Sequence, residues 1–150
     1  MRAIALILTL LATPVLSLSC GDRDPVAAFG YASQDSAEWM VVYGRLAVDE
    51  SRLPQREGAT AEVDVPARLK GRLLDQRGFN ADFDRLITLR ISCLDDICAG
   101  VSHGQSYLAF LRRDDRRLVG FVDPCNSLLF PRPTRAELNA VQSCMRGACP

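Results

Sequence analysis

Histidine is almost absent from this sequence: among 150 residues there is one, His103. A His-rich zinc site therefore cannot be assembled within one chain, and any Ser-His or Cys-His mechanism would have to run through that residue. Net charge is absent too, because 18 basic residues stand against 18 acidic ones and the two signs alternate along the chain. Binding to nucleic acid by counterion release needs a basic face, so no nucleic-acid partner is expected. No C-x-x-C occurs, which argues against a thiolate metal cluster, and no repeat, linker or phosphate-binding glycine loop is found. What is present is a chain with 48% hydrophobic residues, enough for one domain with a core of its own.

The start of the chain has the form of a secretion signal. Arg2 gives a positive n-region, residues 3–16 are apolar apart from Thr9, Thr13 and Pro14, and Ser17-Leu18-Ser19 supplies small residues for cleavage. The run is too short for a membrane span, which needs about 20 apolar residues. Residues 1–19 are thus expected to be a signal peptide and residues 20–150 the exported domain, periplasmic or extracellular. Cleavage after Ser17 fits as well as cleavage after Ser19. Cys20 has a second reading as the lipid-bearing cysteine of an envelope lipoprotein, although Ser17 stands where that pattern has an aliphatic residue. Contact with a membrane is expected only in that case.

All six cysteines, Cys20, Cys93, Cys98, Cys125, Cys144 and Cys149, follow the signal, and an even number in an exported chain predicts three disulfides. Cys93 and Cys98 flank a tight turn, and Cys144 and Cys149 flank Gly147, so both pairs can close locally. That leaves Cys20 with Cys125; the competing scheme pairs Cys20 with Cys98.

Beyond the signal the hydrophobic period is that of strands. In residues 62–73 the odd positions are Val63, Val65, Ala67, Leu69, Gly71 and Leu73, and the even ones polar apart from Pro66, which predicts a strand with one wet face. Residues 39–48 are apolar on both faces and contain Gly44, which predicts a central strand that bends or bulges there. Residues 87–93, 107–112 and 118–122 complete five strands, the last two joined through Arg113-Asp114-Asp115-Arg116. Asp24-Pro25 predicts a short helix or turn over residues 26–31. Thr134 and Glu137 form a capping box ahead of a helix carrying Leu138, Val141 and Met145 and ending at Gly147. Residues 51–60 read as a mobile loop. The expected fold class is all-β: a five-stranded OB-like closed barrel with a short N-terminal helix or turn and a C-terminal helix, linked by disulfides.

Several short motifs carry a family resemblance. Cys20, Pro25-Val26-Ala27-Ala28-Phe29 and the strand Trp39-Met40-Val41-Val42-Tyr43-Gly44-Arg45 resemble the opening of the netrin-like (NTR) domain of tissue inhibitors of metalloproteinases. Cys98-Ala99-Gly100-Val101, Gly104-Gln105-Ser106-Tyr107-Leu108, Asp123-Pro124-Cys125 and a helix ending in Cys144 follow the same family's order. The resemblance implies a protein-binding module, conceivably directed at a protease, with Cys20, Gly21 and Asp22 as its contact residues. It also implies the pairing of Cys20 with Cys125. The family begins with C-x-C, whose first cysteine chelates the protease zinc through its amine and carbonyl, whereas this chain has Cys20-Gly21-Asp22. The resemblance therefore implies weakened inhibition at most.

Other chemistry is weighed against ordinary structural roles. Gly100-Val101-Ser102-His103-Gly104 spells G-x-S-x-G, but a nucleophile elbow needs a strand-turn-helix setting and a distant histidine base, so Ser102 and His103 are expected in a turn. Asp95-Asp96 and Asp114-Asp115 are expected to be solvated turn aspartates and not acid-base pairs or calcium ligands. Trp39, Phe110, Phe121 and Phe130 are expected in the core. No enzymatic activity, cofactor or metal site is expected.

Overall fold

The computed structural model describes residue 20 and residues 24–54, 62–94 and 97–150. A helix α1 (Pro25–Gln34) precedes strand β1 (Trp39–Val48), a 3-10 turn (Glu50–Arg52), and strands β2 (Val63–Asp75) and β3 (Gly78–Ile91). A small ribbon, β4 (Cys93–Leu94) and β5 (Ile97–Cys98), follows, then β6 (Ser106–Asp114), β7 (Arg117–Val122), β8 (Leu129–Pro131) and helix α2 (Arg135–Met145). The main sheet runs β1-β2-β3-β7-β6-β8, and β1 also pairs with β6, so the pairings of β1, β2, β3, β7 and β6 form a cycle. Every pairing in that cycle is antiparallel except β3 with β7.

The alternation of side chains builds two apolar layers. Val42, Leu46, Val65, Leu69, Ile87, Leu89, Tyr107, Ala109 and Leu111 share one cluster. Val41, Leu108, Phe110 and Phe130 face the opposite way and pack with Ala28 and Ala32 of α1 and Val141 of α2. β1 and β6 are apolar on both faces because each serves both layers, while β2 keeps one wet face over most of its length. Asp24 caps α1 by accepting from the Val26 N–H at 2.9 Å, and the helix runs three residues beyond the expected turn, to Gln34. The capping box of α2 forms as expected: Glu137 accepts from the Thr134 N–H at 2.6 Å and the Thr134 hydroxyl accepts from the Glu137 N–H.

The strand count needs correcting. β3 starts at Gly78 and not at residue 87, since Arg85 interrupts an alternation that Phe79, Ala81 and Phe83 already begin. β8 is only three residues long and pairs with β6 through Tyr107, Leu108 and Ala109, and the Cys93–Cys98 turn makes its own ribbon. Gly44 is not a bulge, because β1 keeps continuous register through it with both neighbours. It faces Gly71 instead, and a methyl group on Gly44 would lie 2.6 Å from the Lys70 carbonyl oxygen. A methyl group on Gly71 would collide with the Tyr43 carbonyl. The register slips elsewhere, between Leu73 and Leu74, which turns Leu74 and Phe79 toward the helix-covered layer. The β6–β7 connection is the expected charged hairpin, with Asp115 at φ 53° and Asp114 paired with Arg117. Residues 1–19, expected to be a signal peptide, and Gly21, Asp22, Asp95, Asp96 and residues 55–60 of the expected loop lie outside the described residues.

The three disulfides are Cys20–Cys125, Cys93–Cys98 and Cys144–Cys149. In the chain-entropy model, closing the 105-residue span of the first contributes about 4.7 kcal/mol, and each five-residue span about 2 kcal/mol. Such bonds persist in an oxidising compartment. Among the described residues no helix is long and apolar enough to cross a membrane.

The glycine contacts give opposite expectations for two alanine substitutions. Gly71→Ala forces two paired backbones apart and should cost about 1–3 kcal/mol. Gly30→Ala, in α1 with nothing within 4 Å of the new methyl, should gain about 0.5–1 kcal/mol. Denaturant unfolding of the oxidised protein measures both, and equal effects of the two would contradict the paired-glycine account.

Candidate functional site

Strand register assembles a groove on the helix-covered side of the sheet. β1–β6 pairing sets Trp39 directly opposite Arg112, and β3–β7 pairing sets Arg90 opposite Phe121. The Arg112 guanidinium carbon lies 4.6 Å from the Phe121 ring centroid, and the Trp39 and Phe121 centroids are 6.2 Å apart. Tyr31, on α1, meets Trp39 edge-on at 5.9 Å. Trp39 is held from behind: its indole N–H donates to Asp35 Oδ2 at 2.9 Å. That bond, the Ala37 N–H and the nearby Arg112 charge keep the Asp35 carboxyl below its ordinary range. Arg90 is neutralised by Asp64, donating to its two oxygens at 2.9 and 3.1 Å. The groove encloses about 580 Å³, and Leu128 and Phe130 extend its apolar wall.

One end of the groove reaches the Cys20–Cys125 bridge, since Asp123 and Cys125 also line it. Asp123 organises this rim. Its Oδ1 accepts from the N–H groups of Cys125 (2.9 Å) and Asn126 (2.8 Å), and its Oδ2 accepts from the Ser92 hydroxyl at 2.7 Å. Burial pushes the Asp123 carboxyl up, but the bonds from Ser92, Asn126 and Cys125 outweigh it and hold the group below the usual carboxylate value. The end of β7, the half-buried Cys20 and the β4–β5 ribbon are thereby fastened together. The ribbon presents Leu94 and Ile97, 44% and 48% exposed, on a turn closed by Cys93–Cys98.

The other candidates fall apart from this groove or divide. The Ser102 N–H donates to the Tyr107 hydroxyl at 2.9 Å, and Gly104 adopts φ +75° before β6. His103 Nδ1 sits 3.0 Å from the Val48 carbonyl oxygen, and its backbone N–H donates to Glu50, so the imidazole is used at the end of β1. Among the described residues no hydrogen bond joins the Ser102 hydroxyl to His103. Asp114 lies 3.9 Å from Arg117 and Asp115 occupies the turn. Phe110 and Phe130 are buried and meet edge-on at 5.9 Å, with Phe130 also reaching the groove wall; Trp39, packed against the same cluster, and Phe121 are half-buried and line the groove, so the core expectation holds in full for only two of the four. Among the described residues no cluster of three or more potential metal ligands forms.

Sequence reasoning singled out none of Tyr31, Arg90, Arg112 and Ser92 as site residues, and Asp123 stood out only as part of the Asp123-Pro124-Cys125 motif. One signal for Arg112 was present, because it continues the Leu108, Phe110 face of β6 with a charge where that face is otherwise apolar. No family model matches this chain, and no curated protein or solved structure matches it either.

The Asp123 bonds predict an acid-sensitive rim. A carboxyl whose folded pKa is depressed contributes its full stability above the unfolded value, near pH 4, and loses it as pH falls through the lower folded value. Asp123→Asn should cost about 1 kcal/mol at pH 7 and lose less on acidification than the parent. Unfolding curves at pH 7 and pH 3 test this; a gap between the two proteins that is unchanged across the range would contradict it.

Proposed function

We propose that the mature protein is an exported, disulfide-bonded NTR-like binding module, without catalytic activity, that docks on a partner protein through the rim around Cys20–Cys125. On this reading residues 20–150 form the domain, and the cycle of five paired strands is an OB-like closed barrel. The antiparallel pairings with one parallel step between β3 and β7 support the barrel. The observation that carries the docking reading is the Cys20–Cys125 bond, which fixes the start of the domain beside the ribbon bearing the exposed Leu94 and Ile97. A rigid edge with apolar tips suits insertion into a concave partner such as a protease cleft, because little entropy is lost on docking. Cys20, with the flanking Gly21 and Asp22, is the proposed contact segment.

The same bond supports an unlipidated N-terminus. A lipoprotein holds its cysteine sulfur in a thioether, and one sulfur atom cannot also be in a disulfide. The anchored alternative, an envelope protein with acylated Cys20, would also leave Cys125 without its partner.

Inhibition of a zinc protease in the manner of the resembled family needs a free amine and carbonyl held within about 2.0–2.2 Å of the metal. With one cysteine in place of C-x-C, the reading expects partner binding with weak inhibition at most. The test titrates mature protein, its N-terminus verified by mass spectrometry, against a panel of zinc endopeptidases. Expected are an unacylated terminus, micromolar or weaker inhibition, and further weakening by Leu94→Asp. Stoichiometric nanomolar inhibition abolished by one alanine placed before Cys20 would mean a fully working chelator, and an acylated Cys20 would replace docking with anchoring.

A further inference from the structure

Among the described residues, the groove contains one cation without an ion-pair partner. Arg90 is paired with Asp64, Arg113 with Glu38 at 2.7 Å, and Arg117 lies within 4 Å of Asp64 and Asp114. Arg112 lies among these and differs: among the described residues no carboxylate comes within 4 Å of its guanidinium, and none of its guanidinium N–H donors makes a hydrogen bond. It is half-buried, with its guanidinium carbon 4.6 Å from the Phe121 ring centroid, a contact with a ring face that takes up none of its hydrogen-bond donors. Three of the acids around it are committed elsewhere: Asp35 accepts from the Trp39 indole, Asp24 caps α1, and Asp123 binds Ser92 and two backbone N–H groups. Glu62 also lines the groove, and its charge acts on Arg90.

We propose that this groove binds small organic monocarboxylates, the carboxylate paired with Arg112 and an aromatic or aliphatic body lying against Trp39, Tyr31 and Leu128. The charge decides the anionic end, because a guanidinium fork matches a carboxylate with two parallel hydrogen bonds. The wall decides the other end, since Ala28, Tyr31, Trp39, Leu128 and Phe130 supply an apolar and aromatic stretch of the lining. The size decides a small molecule, since about 580 Å³ lies within the usual range of ligand pockets. A single carboxylate suffices, because the other cation in the groove among the described residues, Arg90, already donates to both oxygens of Asp64. The inference is independent of the docking reading, which uses the neighbouring rim.

Trp39 is the only tryptophan in the chain, so its emission reports the site directly. The experiment titrates the oxidised protein with 3-phenylpropionate and with octanoate, followed by tryptophan fluorescence and by calorimetry. 3-Phenylpropanamide, the uncharged analogue, is the control ligand. Expected is saturable binding of both acids, with the amide bound at least about tenfold more weakly. Arg112→Gln should lose about ten- to a hundredfold in acid affinity and leave amide binding unchanged, while Arg112→Lys restores part of the loss. Arg116→Gln, in the exposed β6–β7 turn, should bind like the parent. No saturable signal from either acid at millimolar concentration would overturn the proposal. So would equal affinity for acid and amide, or undiminished acid binding by a folded Arg112→Gln protein.

Discussion

The antiparallel register between β1 and β6 decides what this molecule can present. It closes the cycle of strand pairings, and it places Trp39 across from Arg112, residues separated by 73 positions in the chain. Because both strands are apolar on both faces, the register is strongly determined: a slip of one residue would turn Val42, Leu46 and Leu111 out of one layer and Leu108 and Phe110 out of the other. The paired Gly44 and Gly71 are a local requirement of the same arrangement, since β1 must approach β2 closely while holding β6 on its other side. The groove is thus a consequence of core packing, with only its aromatic and charged side chains free to vary.

Much of this was legible in the sequence, for identifiable reasons. The period-two pattern of β2 survives because one of its faces is wet, and β1 announces a central strand by being apolar on both. The cap of α1 at Asp24 and the capping box of α2 depend only on neighbours within three residues. Cys93–Cys98 and Cys144–Cys149 are short spans that a turn can close. What escaped depends on distant pairing. β8 is too short to carry a period, and Arg85 hid the first half of β3. The groove residues come together only through the register of β1 with β6 and of β3 with β7, which no local pattern encodes. Gly44 was misjudged because close approach and bulging leave the same mark in a sequence.

The two proposals concern two adjoining features. The rim is held by Asp123, Ser92 and the Cys20–Cys125 bond, and its exposed Leu94 and Ile97 make it the proposed protein contact. The groove carries a guanidinium with no carboxylate partner among the described residues, and it is the proposed site for a small anion. Cys125 lines the groove and anchors the rim, so loss of the bridge would loosen both. Ser102 and His103, the pair most suggestive of chemistry in the sequence, instead finish the turn that leads into β6.

The proposed function rests on one covalent link, and peptide mapping of the mature protein under non-reducing conditions tests it most directly. The account predicts that the peptide holding Cys20 is released joined to the peptide holding Cys125, with Cys93–Cys98 and Cys144–Cys149 as separate local bridges. A Cys20 peptide joined to Cys98, or one carrying a lipid on its sulfur, would contradict it.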